Sequence, residues 1–134
     1  SKVRSTRPPP RKNLLPVLER IKQAYLLWHT FHADISKLQR YSLGARIDAL
    51  FVGAIEATSA TAFLSREEKL PFVRLATRKV DTLKLLLMIL WEAKSLDTKK
   101  YIALSEKVDE IGKMLGGWNV QLTKNSTPQE RGEK

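Results

Sequence analysis

The sequence predicts an all-α protein, an up-down-up-down antiparallel four-helix bundle. Three observations lead there. Apolar residues recur at alternating spacings of three and four in four separate segments, the pattern of one buried helical face. No segment alternates apolar and polar residues with a period of two, so no strand is expected. The periodic segments are joined by only a few residues each, which makes consecutive helices antiparallel neighbours.

In the first helix the stripe is Leu14, Val17, Ile21, Ala24, Trp28, Phe31 and Ile35. Asn13 is expected to cap it, with Pro16 in the first turn, where a missing N–H costs nothing. The second helix repeats the spacing with Leu43, Ile47, Leu50, Ala54 and Ala57, widened by Phe51 and Ile55. Ser36 with Gln39, and Ser65 with Glu68, have the capping-box spacing expected at helix starts. The third helix carries Val73, Ala76, Val80, Leu83, Leu87 and Leu90, and Pro71 either kinks it or marks its beginning. The fourth carries Tyr101, Leu104, Val108, Ile111, Leu115, Trp118 and Leu122, capped by Asp97 or Ser95. The third helix has further apolar residues (Leu70, Phe72, Leu75, Leu85, Leu86, Met88, Ile89 and Trp91), more than one seam needs. A helix apolar on most sides is expected to be buried on most sides, here by self-association or by another protein, unless Leu86 and Ile89 merely broaden the core stripe.

The 134 residues and 15.3 kDa suit one domain, and 43% hydrophobic content suffices for its core. There are no cysteines, which excludes disulfides, thiolate metal sites and cysteine nucleophiles, and fits a reducing compartment. The longest apolar run, Leu85 to Trp91, is seven residues, too short for a membrane span. No apolar stretch follows the basic N-terminus at signal-peptide position, so the chain reads as soluble and cytoplasmic. Of the net charge of +10, residues 1–13 contribute +5, residues 14–122 contribute +4 and residues 123–134 contribute +1. Residues 1–13, with Pro8, Pro9 and Pro10, are expected to form a disordered basic arm, 14–122 the bundle, and 123–134 a disordered tail.

Catalytic chemistry needs a constellation, and none is found. His29 and His32 have i, i+3 spacing but lack the carboxylates of a di-metal bundle site. They read as an exposed and a half-buried histidine. Glu67/Glu68 and Asp109/Glu110 are adjacent in sequence and so point to different faces. Asp48 and Glu56 stand among small or apolar residues, where each could be a buried acid with a raised pKa, although pairing with arginines of a neighbouring helix or subunit is the more ordinary expectation. No glycine-rich phosphate loop follows a strand. The expectation is no enzyme: no catalytic residue, cofactor, metal or small-molecule substrate.

The basic residues are the better lead. Arg40 and Arg46 flank the start of the second helix, and Arg66, Lys69, Arg74, Arg78, Lys79 and Lys84 run down the third. Residues 37–84 hold nine bases and five acids. Such a stripe can track phosphates through counterion release, or it can be a solvated face. In a ring of identical subunits it would repeat, which favours a polyanion. With little aromatic interleaving, stacking of single-stranded bases is not indicated.

The sharpest local feature is Ile111-Gly112-Lys113-Met114-Leu115-Gly116-Gly117-Trp118, three glycines inside a helical pattern. Each costs roughly 1 kcal/mol against alanine. Gly112 and Gly116 share a face, and small residues four apart allow close approach of a neighbour. The competing reading ends the helix at Gly116–Gly117, against which stand Trp118, Val120 and Leu122 beyond it. This segment resembles the C-terminal helix signature of a family of small four-helix-bundle proteins. The family includes proteins encoded in intervening sequences of 23S ribosomal RNA genes and the accessory variability determinant (Avd) of diversity-generating retroelements. Residues 35–47, from Ile35 through Leu43-Gly44-Ala45-Arg46-Ile47, resemble the family's first interhelical turn and the start of its second helix, with Ser36 where relatives usually have proline. The resemblance covers roughly 14–122. It implies a ring-shaped homopentamer with a basic outer surface. In the retroelement branch it implies a non-catalytic accessory protein that binds the reverse transcriptase and RNA or DNA. The eight basic residues from Arg40 to Lys84 would then meet nucleic acid. The alternative is a stand-alone oligomeric scaffold that binds protein and has no nucleic-acid role.

Overall fold

The computed structural model describes residues 11–126, so most of the expected arm and tail lies outside the described residues. Among those described there are five α-helices, a 3-10 turn and no strand. α1 spans Arg11–His32, α2 is a single turn at Lys37–Arg40, and α3 spans Leu43–Ser59 and runs into a 3-10 turn at Ala60–Phe63. α4 spans Arg66–Glu92 and α5 Thr98–Ser126. The four long helices pack on one another as a bundle. α1 and α5 therefore run past the expected 14–122 boundaries at both ends.

Cross-helix contacts give the directions. Asn13 Nδ2 donates to Gln121 Oε1 at 2.9 Å, Arg20 pairs with Glu110, and Asp34 pairs with Lys100 at 3.1 Å. Numbers rising on α1 meet numbers falling on α5, so the two are antiparallel. Tyr25 against Phe51 and His29 against Asp48 show the same for α1 and α3. Trp91 against Tyr101 and Lys84 against Asp109 show it for α4 and α5.

The periodic stripes become the core. Trp28, Ile47, Phe51, Val73, Leu90 and Leu104 have no measurable exposure, and the α4 stripe is buried along its whole length. Phe31, Leu43 and Tyr101 lie toward helix ends and are only half-buried. Burying side chains of this size contributes about 1.5–3 kcal/mol each, and this is the term that closes the bundle.

Several ends differ from expectation. Asn13 lies inside α1 rather than at its cap, because the helix continues back to Arg11. Ser36 Oγ accepts from the Gln39 N–H at 3.4 Å, but this opens only the single turn of α2. The chain then bends at Ser42, whose Oγ donates to the Leu38 carbonyl at 2.9 Å, and α3 starts afresh. The Ser65–Glu68 box is complete, with the Glu68 N–H on Ser65 Oγ at 3.3 Å and the Ser65 N–H on Glu68 Oε1 at 3.0 Å. α4 accordingly starts at Arg66, and Pro71 lies within it.

Asp97 caps α5, accepting from the Lys100 N–H at 2.9 Å. Ser95 instead closes α4: its N–H reaches the Leu90 carbonyl at 3.0 Å while the Lys94 N–H reaches Trp91 at 2.9 Å. These two bonds are a Schellman closure, and it places Lys94 at φ 64° where glycine is the usual residue.

α5 continues unbroken through all three glycines. A Cβ on Gly112 would come within 3.0 Å of Lys84 Nζ, so close approach is real there. At Gly116 and Gly117 nothing lies within 4 Å, which corrects the expectation of a close neighbour at Gly116 within the chain. Gly53 has the tightest approach: its Cβ would sit 2.7 Å from Lys79 Cδ. Among the described residues no helix is long and apolar enough to cross a membrane.

Candidate nucleic-acid interface

The eight basic candidates meet different fates. A helix turns about 100° per residue, so five residues separate two side chains by about 140°. Arg74 and Arg78, four apart, share the outward side of α4; both are exposed, and neither has an ion pair among the described residues. Arg66 is exposed at the first residue of the same helix. Lys69, five residues before Arg74, turns inward and is only 7% exposed. Burial first, then repulsion from Arg66, holds its ammonium below the ordinary lysine range.

Lys79 is half-buried with its stem across Gly53. Lys84 lies across Gly112 and pairs with Asp109 at 3.7 Å. Arg40 spends its guanidinium on its own turn, with Nε and Nη2 donating to the Ile35 carbonyl at 3.3 and 3.1 Å. Arg46 is exposed in the first turn of α3. With Gly53 facing Lys79 in antiparallel helices, Arg46 lies roughly 12 Å from Arg78 along the bundle axis. The structure thus brings Arg74 and Arg78 together on one side of α4, leaves Arg66 exposed about 80° around the helix from Arg74, and turns Lys69, Lys79, Lys84 and Arg40 toward their own neighbours.

The apolar excess of α4 is also narrower than its composition. Leu70, Leu75 and Leu86 pack against the core, and Met88 and Trp91 are half-buried. Leu85 (50% exposed) and Ile89 (39%), one turn apart, remain outside with Phe72. Leu85 and Ile89 continue the outward side on which Arg74 and Arg78 lie.

The other chemical candidates resolve into local contacts. His29 is exposed with Nε2 3.5 Å from Asp48 Oδ1, and Tyr25 meets its ring edge-on at 4.7 Å. Asp48 therefore pairs with a histidine of α1, where an arginine partner was expected. Burial first, then the charge and hydrogen bond of Asp48, holds the Tyr25 phenol above its ordinary range. His32 is half-buried beside Trp28, and Glu56 is exposed. Asp109 and Glu110 point to different helices, pairing with Lys84 on α4 and Arg20 on α1. Among the described residues no three histidine or acidic side chains gather as a metal site.

One arrangement was not foreseen. Trp91 at the end of α4 stacks on Tyr101 in the first turn of α5, with rings 4.8 Å apart and 8° from parallel. Its Nε1–H donates to Thr98 Oγ1 at 3.0 Å. Beside it is a pocket of about 490 Å³ lined by Trp91, Glu92, Lys94, Leu96, Asp97 and Thr98. The only sequence signal is two aromatics flanking a short turn, and it acquires meaning once that turn is closed.

The chain matches no protein-family model, no curated protein and no solved structure.

Proposed function

We propose that this chain is a non-catalytic, oligomeric accessory protein that binds RNA or DNA through the outward side of α4. This is the role implied by the resemblance to the accessory variability determinant. A retroelement reverse transcriptase is its protein partner in this reading, and a homopentameric ring is its assembly. The observation that carries the reading is the pair Arg74 and Arg78, exposed, one turn apart and without a carboxylate partner among the described residues. Guanidinium groups so placed suit phosphate, which each can hold with two parallel hydrogen bonds. Arg46 adds to the pair from α3, and Arg66 offers a further exposed guanidinium at the start of α4. Repetition around a ring multiplies phosphate contacts that are weak singly.

The test is the salt dependence of RNA and DNA binding by the full chain and by the double variant Arg74→Glu/Arg78→Glu. Losing two phosphate contacts flattens the slope of log K against log salt by roughly 1.4–1.8 per subunit engaged. Affinity should fall at least tenfold while the oligomer persists. Unchanged affinity removes these arginines from the interface. A second reading, a protein-binding scaffold, draws on the exposed Leu85 and Ile89. It takes over if the wild-type chain binds neither RNA nor DNA at low salt.

A further inference from the structure

We propose that the pocket at the α4–α5 turn is a subsite for one unpaired nucleobase of a single-stranded nucleic acid, and that guanine fits it best. The inference rests on the nucleic-acid reading above and extends it from phosphate contact to base recognition. Sequence spacing argued against base stacking, because aromatic residues do not interleave with basic ones. The fold changes that by placing Trp91 on Tyr101 at 8° and 4.8 Å. The Trp91 indole is held in register by its hydrogen bond to Thr98. A fixed aromatic ring walling an open pocket is a platform on which a base can stack at little ordering cost.

Size and chemistry agree. A pocket of about 490 Å³ admits a purine. Leu96, which is 3% exposed, supplies apolar lining. Two carboxylates line it. Asp97 is already engaged, accepting the Lys100 N–H that caps α5. Glu92 is exposed and has no ion pair among the described residues. A free carboxylate accepts two parallel hydrogen bonds from the N1–H and N2–H groups of guanine. Uracil has no such pair of donors, and a bidentate contact discriminates accordingly. Lys94 also lines the pocket and is exposed, a cation for the phosphate of a bound nucleotide. It keeps this place in the left-handed region, at φ 64°, where glycine would fit without strain.

Tryptophan fluorescence of the full chain can test the subsite. Trp28 and Trp118 are buried, at 0% and 3% exposure, so quenching by an added nucleotide reports on Trp91. GMP should quench at severalfold lower concentration than UMP. Trp91→Leu should weaken binding of a short guanine-containing RNA single strand roughly tenfold and leave duplex binding unchanged. Glu92→Gln, a surface change that leaves the stack in place, should erase the preference for guanine over inosine, which lacks the N2 amino group. Equal quenching by GMP and UMP overturns the assignment, as does a Trp91→Leu chain that binds single strands like wild type. If that happens while Arg74→Glu/Arg78→Glu still weakens binding at least tenfold, the subsite falls and the accessory role stands. If the wild-type chain binds no nucleic acid and GMP does not quench Trp91, both fall together.

Discussion

The two sides of α4 use the same residue types for opposite ends. Leu83 and Leu85 are two residues apart, yet one is 1% exposed and the other 50%. Lys69 turns inward and is buried, while Arg74 and Arg78 point out. Lys79 and Lys84 occupy the flanks, where each lies over a glycine of the neighbouring helix. Charge counted along the chain therefore overstates the charge offered to a partner. Helical angle decides which cation is presented and which is spent on packing.

The largest expected effect is on the inward side. Leu83→Ala should cost about 2–5 kcal/mol and lower Tm by on the order of 10 °C, read by thermal unfolding. Lys69→Met comes next and should stabilise by on the order of 1 kcal/mol, since a partly desolvated ammonium on a buried stem gives way to an apolar side chain of similar length. The sign follows from its lowered pKa. The unfolded chain binds the Lys69 proton more tightly, so the stability lost to that lysine is greatest at neutral pH. It is recovered as pH rises toward 10.5, the amine's ordinary value. Denaturant titrations of both chains should show the methionine advantage shrinking over that interval.

Lys94→Gly should stabilise by about 1 kcal/mol by relieving the left-handed backbone at the end of α4, seen as a higher denaturation midpoint. Leu85→Ala should change the stability of an isolated chain by less than about 0.5 kcal/mol. It also probes the comparison most sharply: if Leu85→Ala costs as much as Leu83→Ala and the loss depends on protein concentration, the outward side is buried in an assembly.

The inward side was legible because burial follows period. The stripe residues from Leu14 to Leu122 are core apart from half-buried Phe31, Leu43, Ile55 and Tyr101, and the Ser65–Glu68 and Asp97 caps operate as their spacing predicts. What escaped depends on where two helices meet. The close approach at Gly53 is invisible in the sequence, because nothing in its neighbours shows that Lys79, 26 residues on, will cross it. Gly112 was recognised as a close-contact position, but Gly116, identical by spacing, faces open space within the chain. Arg40 looked like a surface cation and is a clasp on the Ile35 carbonyl. Trp91 and Tyr101 became a stacked pair only through the closure at Lys94 and Ser95. Period and capping are local, whereas flank contacts need the register between helices.

The ties of α1 to its neighbours have a consequence for the order in which the molecule comes apart. Packing is most extensive between α3 and α4 and between α4 and α5, pairs joined by short turns. α1 reaches across to α5 through Asn13–Gln121 and Arg20–Glu110, pairs separated by 108 and 90 residues of chain. Closing so long a loop costs more entropy than closing a hairpin, and the polar groups that fasten it lie in water. The hairpins of α3, α4 and α5 should therefore assemble first, with α1 laid on last. In amide hydrogen exchange, α1 should open at a lower free energy than α4, releasing its protons while the three-helix remainder still protects its own.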